Sequence, residues 1–328
     1  MIFKQFYLEC LSHASYLVGD EKTGRAVVID PRRDVQQYVE FAREHGLTIE
    51  LVLETHFHAD FLSGHLEMAK ATGAKIGYGS IANPKFDVKL FADGERYSLG
   101  DVTLEIRHTP GHTPESISIV VFEHASDAVP YGVLTGDTLF IGDVGRPDLL
   151  VSVGKTSNEL GHLLFASLRD KLLTLPDSTR VYPAHGAGSA CGKNLSTETM
   201  STIGEQRRTN YALQFTNIDD FIDVVTEGQP PAPGYFIYDA QLNSQDRAVL
   251  DEHVLPTRLS VDEVVKLSST GTVIIDTRDP QLFATGHIVG SINVGFAGRY
   301  AEYAGAVVTP HDDIVIVTEG GRELEAKV

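Results

Sequence analysis

From the start to about residue 210, short β-branched apolar runs alternate with segments whose apolar positions recur every three to four residues, and Gly and Pro mark the joints. That alternation predicts a layered α/β design. "RAVVIDP" reads as a buried strand, after which Asp34 and Gln37 form a capping-box pair before a helix with Val35, Tyr38, Val39 and Ala42 on its apolar face and Gly46 as its stop. "IELVLE" is the next strand, and a helix over about 63–72 ends at Gly73. Further strands are "VTLEIRH", "SISIVVF", "YGVLTG" and "TRVYPA". Leu160, Leu163, Leu164, Leu168 and Leu172 mark a helix between the last two.

The periodicity then lapses. "TEGQPPAPGYFIYDAQLNSQDR" is Pro-rich and aperiodic, the strongest linker signal in the chain, and it places a domain boundary near residue 250, dividing 1–250 from 251–328. Beyond it, Ser260 and Glu263 form a capping box before "VVKL", followed by a strand "TVIIDTR", a Gly-rich turn region and a second strand "DIVIVT". The second unit is therefore a small α/β domain.

Composition narrows the function. Of 328 residues, 42% are hydrophobic and 22% charged, ordinary for a globular chain, but the formal charge of −18 repels phosphate backbones and anionic membrane surfaces. Small molecules are the expected partners, with no nucleic acid and no membrane. No apolar run approaches the roughly 20 residues needed to cross a bilayer. The start lacks a basic region followed by an apolar core and a cleavage site. Two cysteines, Cys10 and Cys191, are too few for a disulfide scaffold and suit a reducing compartment. The expectation is a cytoplasmic protein, with homo-oligomerisation left open.

The candidate chemistry sits at strand ends. "LETHFHADFLSGH" follows the strand "IELVL" and carries His56, His58 and Asp60. "HTPGHTPES" places His112 between two strands, "LTGDTLF" places Asp137 directly after one, and "YPAHGAGS" places His185 after another. Strand ends along one sheet edge converge, so ligands scattered over the sequence can meet in one pocket. A lone His after a strand is usually a cap or a surface residue. Four such signals in order argue for a metal.

These motifs resemble the metallo-β-lactamase superfamily, whose αββα sandwich holds metal with an HxHxDH segment, a later His, a bridging Asp and a last His. In its dinuclear hydrolases the final His of HxHxDH helps bind the second metal. Here that position is Phe61, which has no lone pair, so one metal per chain is the expectation. Held by His56, His112 and Asp137, it has two imidazoles and one carboxylate, the set of a non-haem Fe(II) oxygenase. "THFHADFLSGH", "TPGHTPES", "TGDTLFIGDVGRPDL" and "PAHGAGSACGK" are similar to the motifs of the superfamily's persulfide dioxygenase branch, which implies the same assignment. His58, Asp60 and His185 would surround the metal, orienting its ligands and ordered water.

Around that centre, Arg146 either clamps a substrate carboxylate or pairs internally with Asp143 or Asp148, and the resemblance implies the pocket role, so Arg146, Cys191 and Lys193 are the expected substrate residues. Cys191 borders the pocket as a thiolate favoured by Lys193, or is an inert core thiol. Cys10 reads as core packing, and His13, His65, His108, His124 and His162 as structural or surface residues.

The second domain resembles rhodanese, the sulfur-transferase fold, through "VIIDTRDPQLFATGHIVGSINVGF". That family's nucleophilic Cys ends the strand read here as "DIVIVT". Val317 or Thr318 stands there instead, so no persulfide intermediate can form, and Glu319 disfavours an anion in the loop. The family's fold continues further, so the domain is expected to be inactive and partial, from a truncated chain.

The sequence thus points to an αββα sandwich followed by a partial rhodanese-like α/β domain, acting as an Fe(II) persulfide dioxygenase on a low-molecular-weight thiol persulfide and O₂. A Zn²⁺ thioester hydrolase resembling glyoxalase II is the rival, which Phe61 disfavours. A third reading makes the chain a docking protein for a sulfur carrier.

Overall fold

The apolar runs that lack polar alternation occupy strands covered on both faces. In a computed structural model of the chain, which describes residues 1–149, 154, 156–251 and 253–327, the first sheet contains β1 (Ile2–Leu8), β2 (His13–Asp20), β3 (Arg25–Ile29), β4 (Thr48–Leu53), β5 (Lys75–Gly79) and β6 (Lys89–Phe91) in sequence order. β1 to β3 pair antiparallel, and β3 to β6 pair parallel. The second sheet runs β12-β11-β10-β9-β8-β7 and comprises β7 (Arg96–Ser98), β8 (Thr103–His108), β9 (Ile117–Phe122), β10 (Gly132–Gly136), β11 (Arg180–Pro183) and β12 (Ser201–Thr202).

Alternate residues of each strand serve different layers, because side chains point to opposite faces with a period of two. Val27, Ile29, Leu51 and Leu53 of the first sheet meet Leu104, Ile106, Ile117, Ile119 and Val121 of the second in one buried cluster. Ala26, Val28 and Val52 face outward onto Tyr38 and Ala42 of α1 (Gln36–Glu44) and Met68 of α2 (His65–Thr72). On the opposite face, Val120, Val133 and Val181 pack on Leu164 of α3 (Ser157–Ala166), Leu168 of a π-helical turn (Ser167–Leu172), and Phe221 and Val225 of α5 (Ile218–Thr226). The result is helix, sheet, sheet, helix, with α4 (Ile203–Thr209) beside β12.

Two local readings are corrected. α1 begins at Gln36 with no side-chain cap: the Gln37 amide reaches Asp34, but the Asp34 carboxylate also takes Arg32 at 2.7 Å and is not spent on the helix. α2 starts at His65 because Ser63 and Gly64 are pinned to the 31–33 segment. Ser63 bridges Arg32, and a Cβ on Gly64 would lie 1.9 Å from the Arg32 carbonyl oxygen. The Gly73 stop adopts the left-handed conformation, φ 75°.

The Pro-rich stretch is more than a linker. It contains α6 (Phe236–Asn243), whose last residue reaches back to the loop after β4. A rhodanese-like unit follows, with α7 (Val261–Ser268), β13 (Val273–Asp276), α8 (Pro280–Thr285), β14 (Ile292–Asn293), α9 (Tyr300–Val307), β15 (Ile314–Val317) and α10 (Glu323–Lys327). Its three-stranded parallel sheet is ordered β14-β13-β15. The Ser260–Glu263 capping box is made in both directions. No helix among the described residues is long and apolar enough to cross a membrane.

Candidate metal centre

Four loops that leave strand ends meet at one edge of the two sheets. The loop after β4 carries His56, His58, Asp60 and Phe61, the β8–β9 connection carries His112, and Asp137 and His185 follow β10 and β11. Close backbone approach brings them together. A Cβ on Gly145 would lie 1.8 Å from the Asp137 carbonyl oxygen, so only Gly permits that crossing.

His56, His112 and Asp137 are buried, and their ligating atoms lie within 4.8 Å of one another. His56 Nε2 is 3.8 Å and His112 Nε2 is 3.5 Å from Asp137 Oδ2. His56 Nε2 and Asp137 Oδ2 have no hydrogen-bond partner, although a buried polar atom without one is costly. The opposite side of each residue is occupied. The Thr55 hydroxyl donates to Asp30 Oδ2 at 2.9 Å, so its oxygen accepts from His56 Nδ1 at 2.9 Å. His112 Nδ1 donates to the Arg146 carbonyl at 3.1 Å. Each imidazole is thereby held in the tautomer that leaves Nε2 with its lone pair. Burial keeps both rings below the usual His range, in the neutral form that binds metal. Burial pushes the Asp137 carboxyl up, but the charged His185 beside it outweighs that and holds the group well below the usual range. Three inward-facing donors, two neutral and one anionic, fit a single divalent cation with positions left open.

His185 lies beside this set. Its Nδ1 is 2.8 Å from Asp137 Oδ1 and its Nε2 is 2.7 Å from Asp60 Oδ2. Against the cost of burial, Asp137 and Asp60 push its pKa up to about 10, so the ring is an imidazolium between two carboxylates. His58 turns away from the three donors, toward Asp30 at 3.1 Å and Glu54 at 3.4 Å. Although burial opposes charge, those carboxylates hold it well above the usual His range. His65 meets the same Glu54 at 3.5 Å. Phe61 fills the space between His58 and His13, with ring centroids 4.6 and 4.2 Å away.

The expected substrate residues separate. Arg146 is buried and its guanidinium is committed internally: Nε and one terminal nitrogen donate to Asp148 at 2.8 and 2.7 Å, and further bonds reach the Ala190 and Pro230 carbonyls. The internal pair is the arrangement adopted, with Asp148 rather than Asp143. Lys193 does not serve the thiol as expected. Its ammonium donates to the Val224 and Glu227 carbonyls at the end of α5, where exposed helix carbonyls attract a cation. Cys191 is 1% exposed and its sulfur lies within 4.8 Å of ligating atoms of Asp60 and His185. Burial, with Asp60 and Asp137 adding to it, pushes the thiol well above its usual range, so it is a neutral thiol and not a thiolate.

Two residues escaped the sequence reading. His13 is fully buried in β2, its ring 5.4 Å from His185 and both nitrogens without a partner. A polar residue opening an apolar strand was the available signal. Asn243 was masked by the aperiodic stretch around it.

The sequence profile of the metallo-beta-lactamase superfamily matches residues 8–185, and that of the rhodanese-like domain matches residues 260–327. The chain is 28% identical over 239 residues to the mitochondrial persulfide dioxygenase ETHE1 of Homo sapiens, covering 71% of this chain and 84% of that protein. It is 32% identical to the cytoplasmic hydroxyacylglutathione hydrolase of Arabidopsis thaliana, over 56% of this chain and 67% of that one. Among solved structures, a metallo-beta-lactamase from Staphylococcus aureus superposes with a TM-score of 0.89 at 33% identity, covering 99% of this chain and 94% of that chain. ETHE1 from Myxococcus xanthus superposes with a TM-score of 0.63 at 28% identity, over 74% and 98%.

Proposed function

Because the chain belongs to the metallo-beta-lactamase superfamily, with a rhodanese-like domain behind the sandwich, we propose that it is an Fe(II) persulfide dioxygenase with one iron per chain, its catalytic domain spanning 1–250 and the rhodanese-like domain 251–328. A low-molecular-weight thiol persulfide, O₂ and water yield the thiol, sulfite and two protons. The observation that carries the reading is the set of inward-facing His56 Nε2, His112 Nε2 and Asp137 Oδ2, with Phe61 where a second metal would need a ligand. The persulfide dioxygenases among the relatives support the same chemistry.

His56, His112 and Asp137 hold the metal in this reading. Bound iron would supply the redox-active centre and open positions that O₂ chemistry needs and side chains lack, while the persulfide sulfur supplies the electrons. The protein's own part is orientation and charge. Asp30 and Thr55 fix His56, and the Arg146 carbonyl fixes His112. The pair of buried Arg146 with part-exposed Asp148 braces the segment that presents that carbonyl. His185 keeps a proton between Asp60 and Asp137, next to the neutral Cys191 thiol, and the surrounding core excludes bulk water.

A hydrolytic reading has one observation in its favour: Asp60, His185 and Cys191 form a second group of ligating atoms within 4.8 Å of one another. Metal analysis on anaerobically purified protein, with O₂ uptake and sulfite release from a thiol persulfide, separates the two. One iron and stoichiometric sulfite support the dioxygenase; two zinc ions with thioester hydrolysis would sink it. His112→Ala should lose the iron, while His185→Ala should retain most of it with reduced turnover.

A further inference from the structure

Glu54 follows the apolar run of β4 and is fully buried, its backbone N–H still donating to the Gly77 carbonyl of β5 at 3.1 Å. A carboxylate enclosed in this way is costly unless a partner answers its charge. Neither of its oxygens has a hydrogen bond. Among the described residues its ion-pair neighbours are two imidazoles, His58 Nε2 at 3.4 Å and His65 Nδ1 at 3.5 Å.

Asp30 closes the other side of His58. It follows β3 as Glu54 follows β4, the two strands being parallel neighbours, and its Oδ1 lies 3.1 Å from His58 Nε2. It reaches that position in the left-handed backbone region, φ 50°, where a non-Gly residue is strained. His65, the first residue of α2, stacks on Phe86 at 4.9 Å between centroids and so steadies Glu54 from behind. The ring caught between these two carboxylates stands next to the candidate metal centre. His58 follows His56 by two positions, with ring centroids 4.1 Å apart, so a side-chain rotation separates it from the three inward-facing donors.

We propose that Asp30 and Glu54 hold His58 out of the metal's coordination sphere, and that Glu54 thereby sets the donor count at two imidazoles and one carboxylate. The inference rests on the metal assignment made above and not on the persulfide reaction. Its consequence is the kind of metal chemistry the centre supports. A third imidazole would complete a tetrahedral four-donor set, the closed arrangement that suits zinc. Three donors leave positions open for a thiol persulfide and O₂. Glu54 is a positioning residue, acting on the metal through His58 without touching it.

Cobalt(II) in the metal-free chain reads the donor count without turnover, because four-coordinate cobalt absorbs strongly in the visible and five- or six-coordinate cobalt weakly. The parent should give the weak spectrum. Glu54→Gln removes the charge at constant size; it should give the strong spectrum and bind zinc about tenfold more tightly in chelator competition, the low end of what outer partners of a metal site are worth. Loaded with iron, the same variant should form less sulfite. Opposite shifts in affinity and turnover mark a donor gained, since a merely structural defect lowers both. Glu54→Gln combined with His58→Gln should return the weak spectrum and the parent's zinc affinity, and Glu54→Asp, which keeps the charge, should stay with the parent. X-ray absorption on the zinc-loaded parent needs no variant to fold: two imidazoles are expected, and three would overturn the proposal. An unchanged cobalt spectrum in Glu54→Gln, or a strong one that persists once His58 is replaced, would overturn it too. If the spectra and affinities follow the proposal while the iron-loaded parent oxidises no persulfide, the reaction is refuted and the clamp on His58 stands.

Discussion

The side-chain amide of Asn243 donates to the carbonyl of Phe61 at 2.8 Å, across 182 positions of sequence. The same amide donates to the His58 carbonyl at 2.8 Å, and its oxygen accepts from the Ser63 backbone N–H at 2.9 Å. One fully buried side chain at the end of α6 thus secures both ends of the loop that carries Asp60 and Phe61.

Asn243→Ala strands one N–H and two carbonyls in a dry environment, so the expected loss of stability is roughly 3 kcal/mol. Because the loop also presents His56, metal retention should fall with it. Thermal unfolding and metal content of the purified variant check both. A variant as stable as the parent and with the parent's metal content would show the latch to be dispensable.

Thr55→Val keeps the β-branched shape and removes the hydroxyl that connects His56 Nδ1 to Asp30. Loss of such an outer partner typically weakens metal binding by about 10- to 100-fold. Competition with a calibrated chelator measures it, and Thr55→Ser, which retains the hydroxyl, should restore most of the affinity.

His185 carries a pKa pushed up to about 10 in the metal-free fold, against 6.5 for the unperturbed ring. Between those values the folded state holds a proton that the unfolded state has released. The stabilisation is complete below about pH 6.5 and is lost as pH rises through about 10. Metal-free protein should therefore become easier to unfold with urea from neutral pH to pH 10. His185→Gln should flatten that dependence without abolishing it, since His58 is also raised and contributes with the same sign. Parallel pH profiles for parent and variant would rule His185 out as the source.

The rhodanese-like domain should form no thiocyanate from thiosulfate and cyanide, even while persulfide is being oxidised. Thr318 follows β15 where a nucleophile is required, and both thiols of the chain lie in the catalytic domain. Transfer above background that survives Cys191→Ser and Cys10→Ser would contradict this.

The longer strands and the convergence of His56, His112, Asp137 and His185 were legible because each depends on local rules: apolar runs fix buried strands, and strand ends share an edge; the short strands β5, β6, β7 and β12 and the order within each sheet were not. Contacts set by long-range packing were not. Lys193 lies two positions from Cys191, but α5 offers it free carbonyls, and no local pattern announces them. Arg146 looked available for substrate because the carbonyls of Ala190 and Pro230 that receive it come from distant loops. Asn243 falls in the stretch with the weakest periodicity. There the backbone is shaped by what it touches in the sandwich, rather than by an apolar face of its own.

Phe61 also constrains descent. No single-base change turns a Phe codon into a His codon, and the stepping stones are Leu and Tyr. Leu would leave part of the ring's volume empty between His13 and His58, at a cost on the order of 1–3 kcal/mol. Tyr would introduce a hydroxyl among imidazoles already engaged with carboxylates, beside the unpartnered ring of His13. A lineage that began to drift toward a two-metal hydrolase would have to persist through one of these forms before any second metal could reward it. The phenyl ring is therefore a barrier to that drift as well as a plug between His13 and His58.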